Sequence, residues 1–305
     1  MALRSCPQGV RHMSPFYLEN EEQYRRWRDT KLECAARSID DLIVEIENPH
    51  DLSGREYGAI LRRCIDSNMA IYATRSGTEP DRSILHHLAR QLGLRGLDHN
   101  WLGDKDGLTS LTTNDDSDHQ GYIPYSNRPI KWHTDGYYNP PERQIHGLML
   151  HCVQSAAEGG ENALLDHEIA WLLLRDQNPD FIRALMEPDV MTIPARERDG
   201  KVVRKAETGP VFSVDSETGN LHMRYTARTR SIEWKDDVAT QAAVQALVDI
   251  LESDEPHIIR GRLEPGMGLI CNNVLHDRSG FSDSGSKKRL LYRARFYGRI
   301  ANTDV

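Results

Sequence analysis

A histidine and a carboxylate two residues apart constrain this chain more than any other feature. His133 and Asp135 lie in the run Trp132-His133-Thr134-Asp135-Gly136-Tyr137-Tyr138. On a β-strand that spacing directs both side chains to one face. An imidazole nitrogen beside a carboxylate oxygen supplies two of the three ligands of a ferrous 2-His-1-carboxylate site. The third has to come from elsewhere, and His276 stands at the end of another apolar run, 143 positions later (276 minus 133). Two strand ends so far apart in sequence share one metal only if their strands are neighbours. His119, His146, His151, His167 and His222 have no comparable partners and read as structural or exposed.

The order of elements is compatible with that demand. Apolar residues at helical spacing predict helices over 21–39, 54–68 and 83–93. The clearest helix spans 238–252, with Asp236 and Asp237 as capping residues. Strands are expected over 40–46, 69–74, 145–153, 258–263, 269–275 and 290–300, with a hairpin from 212–215 to 221–225. A mostly helical first third followed by many strands reads as α+β on an antiparallel sandwich or barrel, not as regular βαβ alternation. No internal repeat, low-complexity tract or linker divides the chain, so residues 1–305 are expected to form a single domain.

Three stretches read as irregular. Residues 1–20, broken by Pro7, Gly9 and Pro15, are expected as a loosely ordered arm. Residues 195–209 are charged and poor in apolar anchors, a surface loop whose functional version is a lid. Residues 94–125 are rich in Gly, Asp, Asn, Ser and Thr, the composition of a binding loop, which makes Tyr122, Tyr125 and Asn127 candidate substrate contacts. The acidic run 114–119 lacks the glycine and terminal glutamate of an EF-hand.

A formal net charge of -8 argues against nonspecific attraction to nucleic acid or anionic lipid. Cys6, Cys34, Cys64, Cys152 and Cys271 show no CxxC pair, which favours reduced thiols. With no apolar run of signal-peptide or membrane-spanning length, a cytoplasmic protein is expected. Its expected partner is a small-molecule substrate, with no nucleic acid and no membrane, and homo-oligomerisation is left open.

An oxygen-activating iron site needs a cosubstrate, and a dicarboxylate cosubstrate needs an arginine, because a guanidinium binds carboxylate through two parallel hydrogen bonds. Arg289 and Arg293, four apart at the final strand, are expected to share a face with Leu291. Arg224, Arg228 and Arg230 form a second basic cluster suited to a substrate carboxylate, sulfonate or phosphonate, or to surface ion pairs. Tyr137 and Tyr138 are candidate substrate contacts, and an aromatic cage for a quaternary ammonium is one reading of them. Packing of the barrel is the other.

On these residues the chain resembles the TauD/TfdA family of Fe(II)- and 2-oxoglutarate-dependent dioxygenases. The stretches HTDGYY, LMLHCV, GGEN and LLD are similar to the γ-butyrobetaine and trimethyllysine hydroxylase branch, and LEPGMGLICNNVLHDRSGF has the PG turn, strand, Asn and distal His in order. The resemblance runs from about Met69 to the last strand. It implies a double-stranded β-helix (jelly roll) core with flanking helices. It also implies Fe(II) on His133, Asp135 and His276, and the 5-carboxylate of 2-oxoglutarate on Arg289. Arg293 stands where some members place a second arginine, for cosubstrate or for an anionic substrate. Asn162 replaces the threonine that often supports 2-oxoglutarate, and its amide is expected to donate instead. The implied reaction uses O2, releases succinate and CO2, and hydroxylates the substrate. The retained Asp135 argues against halogenation. Two readings compete: a zinc or manganese hydrolase or isomerase on a cupin-like barrel, with no need of Arg289, and a non-catalytic binding protein on the same fold.

Overall fold

The computed structural model describes residues 14–75, 77–99, 104–113, 123–198, 200–228, 232–285 and 287–305. Two facing sheets organise it. Their strands are β1 (Ile43–Glu45), β2 (Met69–Ala73), β3 (Thr109–Leu111), β4 (Ile130–His133), β5 (Gly147–Gln154), β6 (Asn162–Leu165), β7 (Ile259–Gly261), β8 (Met267–Cys271), β9 (Leu275–Arg278) and β10 (Leu290–Phe296). The larger sheet runs β1-β2-β8-β5-β10-β3 and the smaller β7-β6-β9-β4. Every neighbouring pair is antiparallel except β1 with β2. This is the double-stranded β-helix of the α+β class, with helices on its outer faces.

Alternation along the strands decides which layer each side chain joins. In β5, Leu148, Leu150 and Cys152 point between the sheets, where they meet Leu269, Cys271, Leu291 and Leu164. Met149 and Val153 point outward, against α2 (Gly54–Ser67) and α3 (Ser83–Gln91). The small sheet turns Trp132, Ala163, Leu165 and Leu275 outward, against α4 (His167–Gln177), α5 (Pro179–Leu185) and α6 (Val238–Glu252). Asp237 caps α6 by accepting from the Thr240 N–H, as its position before the apolar run predicts.

Five expectations need correction. The helix expected over 21–39 ends at Cys34 as α1 (Glu21–Cys34). Ser38 and Asp41 form a capping box that starts a separate turn, Ile39–Leu42, so the strand expected from residue 40 begins at Ile43. The run 269–275, expected as one strand, is β8, a corner and β9. Asn273 adopts φ 54 there, and the chain crosses from the large sheet to the small one. Residues 195–209, expected as a loop, hold the hairpin Arg196–Arg198/Lys201–Arg204 and a strand, Glu207–Gly209, paired with Met191–Ile193. Finally, residues 14–20 of the expected arm are packed down. Phe16 is fully buried and meets the rings of Trp27 and Trp171 edge-on at 5.0 and 5.3 Å.

A buried ion cluster ties α1 to the sandwich. Lys31 Nζ lies 2.6 Å from Asp166 Oδ2 and 2.6 Å from Glu168 Oε2, all three side chains at most 4% exposed. Asp166 also caps α4 and accepts from the Asn68 amide. Burial alone would lower the Lys31 ammonium, and the two carboxylates overcome it. Burial would likewise raise the Asp166 carboxyl, which Lys31 holds below its ordinary value. Among the described residues no helix is long and apolar enough to cross a membrane.

Replacing Lys31 with methionine strands two buried carboxylates and should cost about 3–5 kcal/mol in urea unfolding at pH 7. The folded Asp166 carboxyl lies below its unfolded value, so its contribution in the native protein is present above about pH 4 and is lost on further acidification. In the variant, protonation relieves the stranded charge, so its deficit should narrow as pH falls through that range.

Candidate metal centre

β4 and β9 pair so that His133 stands directly opposite His276. The two rings are 4.2 Å apart between centroids. Each Nδ1 donates to the carbonyl two residues earlier, His133 to Lys131 O at 2.9 Å and His276 to Val274 O at 2.9 Å. That pattern leaves both Nε2 atoms as lone-pair donors, the tautomer a metal ligand needs. Burial, followed by the neighbouring His276, pushes the His133 imidazole down to about 3, which keeps it neutral.

Asp135 reaches the same spot by a different route from the one its spacing suggests. β4 ends at His133, and the carboxylate is delivered by a clamped turn. The Asn273 side chain accepts from the Asp135 N–H at 2.8 Å and donates to Asp135 O at 3.0 Å and to Ile145 O at 2.7 Å. Gly136 follows at φ 70, where an added Cβ would stand 2.4 Å from Ile145 Cγ1, so only glycine lets the chain turn beneath Ile145. Residues 225–227 run beside β4, with Thr134 and Tyr225 bonded in both directions.

One ligand atom each from His133, Asp135 and His276 lies within 4.8 Å of the others. Asp135 Oδ1 accepts from Arg293 Nη1 at 3.3 Å, while Oδ2 is buried without a hydrogen-bond partner. Burial would raise this carboxyl, and Arg293 and Arg295 hold it far below its ordinary value. An ionised carboxylate with one oxygen free of donors, within 4.8 Å of two imidazole nitrogens, fits a divalent cation.

Arg289 and Arg293 do not both continue one regular face, because the β10–β5 register shifts between Leu290 and Leu291. Leu291, Arg293 and Arg295 are the alternating inward set. Arg289 is 5% exposed, stacks at 5.1 Å over the Phe281 ring, and leaves Nη1 buried and unpartnered. Burial lowers its guanidinium from the ordinary value. Gly160 leaves space beside it, with an added Cβ falling 3.7 Å from Arg289 Nε. An unmet guanidinium donor in such a setting suits a carboxylate. Asn162 spends one amide hydrogen on Asp277 O at 2.7 Å and lines a narrow pocket with His276 between the sheets.

The candidate substrate residues divide. Tyr137 lies 6.4 Å from His133 between ring centroids, with Arg228 and Thr226 close enough to its phenol to offset part of the rise that burial causes in its pKa. Tyr138, 5.2 Å further on, accepts from Arg295 Nη1 at 2.9 Å. Tyr125 is buried close to Arg293 and Arg295. Tyr122 and Arg230 lie outside the described residues, as do His119 and the acidic run 114–119. Arg224 is structural, donating to the carbonyls of Met191, Glu207 and Gly209. A groove of about 560 Å³ lies on the outer face of the small sheet, where Trp132 and Asp277 alternate with the histidines, and includes none of the three.

Sequence reading missed Arg295, Asp98 and Asn273 as parts of this site. Arg295 pairs with Asp98, which also accepts from Arg143 Nη2 at 2.9 Å and the Tyr297 hydroxyl at 2.6 Å. The alternation Arg293-x-Arg295 on an apolar strand was the available signal. Nothing in the polar stretch around Asp98 marks it.

The architecture is that of the double-stranded β-helix oxygenases. Residues 50–295 match the family described as taurine catabolism dioxygenase TauD, TfdA family. The chain belongs to this TauD/TfdA dioxygenase family. It is similar to a uridine-5'-phosphate dioxygenase of Amycolatopsis sp, 31% identical over 172 residues, and the match spans 53% of this chain and 59% of that relative. A Streptomyces sp protein of the same name is 28% identical over 200 residues, 63% of this chain and 69% of its own. Among solved structures, the non-heme iron oxygenase OrfP in complex with Fe, succinate and (3S)-hydroxy-L-Arg superposes with a TM-score of 0.59 at 17% identity, covering 80% of this chain and 81% of the other. Asparagine oxygenase with Fe(II), 3-hydroxyasparagine and succinate gives 0.57 at 16%, covering 79% and 78%. These two likenesses show the shared fold.

Asn273 should be needed to present Asp135. Asn273→Asp tolerates the left-handed backbone but loses both N–H donors, so an anaerobic competition titration should show Fe(II) affinity falling about 10- to 100-fold. Binding as tight as in the unaltered protein would mean that the clamp does not position the carboxylate.

Proposed function

We propose that the protein, as one domain over residues 1–305, is a dioxygenase that holds Fe(II) on His133, Asp135 and His276 and couples 2-oxoglutarate decarboxylation to hydroxylation of a C–H bond in a small charged metabolite. The observation that carries the reading is the convergence of the three ligand atoms within 4.8 Å, with Asp135 Oδ2 left unpartnered. Bound iron, 2-oxoglutarate and O2 supply the oxidising chemistry and release succinate and CO2. The chain's own residues hold, orient and exclude water. The i−2 carbonyls fix both imidazole tautomers, and Asn273 fixes the Asp135 backbone. Arg289 receives the distal carboxylate of 2-oxoglutarate on its unmet guanidinium donor, and Asn162 lends its amide nearby. Arg293 steadies Asp135 and faces the cosubstrate or substrate.

The relatives named uridine-5'-phosphate dioxygenase direct the substrate reading to nucleoside 5'-monophosphates. The likeness of HTDGYY to the γ-butyrobetaine and trimethyllysine hydroxylases concerns the scaffold around the ligands. A quaternary ammonium beside Tyr137 and Tyr138 would face Arg204, Arg228 and Arg295, so electrostatics favour an anion there. A hydrolase or isomerase has no use for the desolvated Arg289, which favours the dioxygenase over it.

Anaerobic addition of Fe(II) and 2-oxoglutarate should produce the weak visible charge-transfer band, and admission of air should produce succinate. Arg289→Ala should raise the 2-oxoglutarate concentration needed for the band by about a hundredfold or more. The reading fails if intact protein gives no band, or if the band is indifferent to Arg289→Ala.

A further inference from the structure

Beyond the iron ligands, a line of rings and guanidiniums leads away from His133. Tyr137 is 6.4 Å from His133, and Tyr138 is 5.2 Å from Tyr137. Arg204 then lies 5.7 Å over the Tyr138 ring, and Arg228 stands close enough to the Tyr137 phenol to lower its pKa electrostatically. The two arginines come from separate elements, Arg204 from the base of the Lys201–Arg204 strand and Arg228 from the segment running beside β4. Neither makes an ion pair with a carboxylate among the described residues. Arg204 instead donates to Pro194 O at 2.7 Å and Lys205 O at 3.3 Å. The rest of its strand is exposed, Val202 at 56% and Val203 at 54%, so the fold half-buries this one cation of the strand without a direct ion pair, Glu207 acting on it only at longer range. Burial lowers its guanidinium from the ordinary value and outweighs Tyr137, Tyr138 and Glu207, which raise it.

Half-burying a guanidinium without a carboxylate costs stability unless an anion arrives. Below Tyr138, Arg295 is already matched by Asp98, so the unmatched charge sits on the hairpin side. A carboxylate is met by one guanidinium fork. Two forks from separate elements suit a group with three acceptor oxygens and a charge near −2.

We propose that Arg204 and Arg228, set about the Tyr137 and Tyr138 rings, form the subsite that takes the phosphate of a phosphomonoester substrate and hold its reacting carbon toward the His133 side of the site. This rests on the dioxygenase reading above. The Arg196–Arg198/Lys201–Arg204 hairpin forms a two-stranded sheet of its own.

The test uses full-length protein loaded anaerobically with Fe(II) and 2-oxoglutarate, and calorimetric binding of uridine 5'-phosphate, uridine and inorganic phosphate. The unaltered protein should bind uridine 5'-phosphate more tightly than uridine, and inorganic phosphate should compete. Arg204→Gln and Arg228→Gln should each weaken uridine 5'-phosphate and inorganic phosphate by about 10- to 100-fold. They should leave the charge-transfer band and uridine binding as they were. Arg204→Lys should restore part of the loss, which a purely structural role for the guanidinium would not predict. The subsite is refuted if the band is present but both glutamine variants bind phosphate and uridine 5'-phosphate like the unaltered protein, or if that protein binds neither. Absence of the band in the unaltered protein refutes the dioxygenase reading instead.

Discussion

The corner at Asn272 and Asn273 is the constraint on which the rest depends. There the chain leaves the large sheet after β8 and enters the small sheet as β9, three residues before His276. Asn273 takes a left-handed backbone and spends its whole amide on main-chain groups of Asp135 and Ile145. One residue thereby sets the start of the strand carrying one histidine and the turn carrying the carboxylate. Asn272 does the same for the outer shell, bonding Asn68, Thr303 and the Ile300 N–H. Asn68 in turn reaches Asp166 and the buried Lys31. Local conformation, sheet crossing and helix docking therefore converge on one pair of amides, which explains why so small an element governs the geometry of the candidate centre.

Charge around the centre is arranged in steps along one strand. Inward-pointing Arg293 faces Asp135, and inward-pointing Arg295 faces Tyr138 and Asp98. Arg289, beyond the register shift, makes no side-chain ion pair with a carboxylate among the described residues and leaves Nη1 unpartnered. In a dry interior each guanidinium needs a partner, and the fold supplies them unequally. Arg295 is satisfied by protein, Arg293 shares an oxygen with the candidate metal site, and Arg289 and Arg204 are left with donors that protein carboxylates do not meet.

Much of the site was legible in the sequence because its signals are local. The strand character of 145–153, the capped helix at 238–252 and the motif Trp132–Tyr138 each follow from spacing within a few residues. Other features were misread where neighbouring local preferences compete. The Ser38–Asp41 capping box interrupts an apolar pattern that continues through it. The run 269–275, apolar apart from Asn272 and Asn273, conceals the sheet crossing, since both halves are strand and the left-handed Asn273 divides them. The charged stretch 195–209 looks like a loop because its strands pair mainly with each other and bury little.

By itself, the sequence determined the kinds of groups available: two histidines and an aspartate beside apolar runs, arginines at and just before the last strand, and tyrosines beside the ligands. Those follow from periodicity and residue chemistry, which act over a handful of positions. The tertiary structure alone decided which of them meet. His133 faces His276 because β4 and β9 pair, Tyr138 is held by an arginine 157 positions away, and that arginine is neutralised by Asp98, 197 positions from it. Such pairings depend on strand order and on the dryness of the space between the sheets, and no local pattern encodes either.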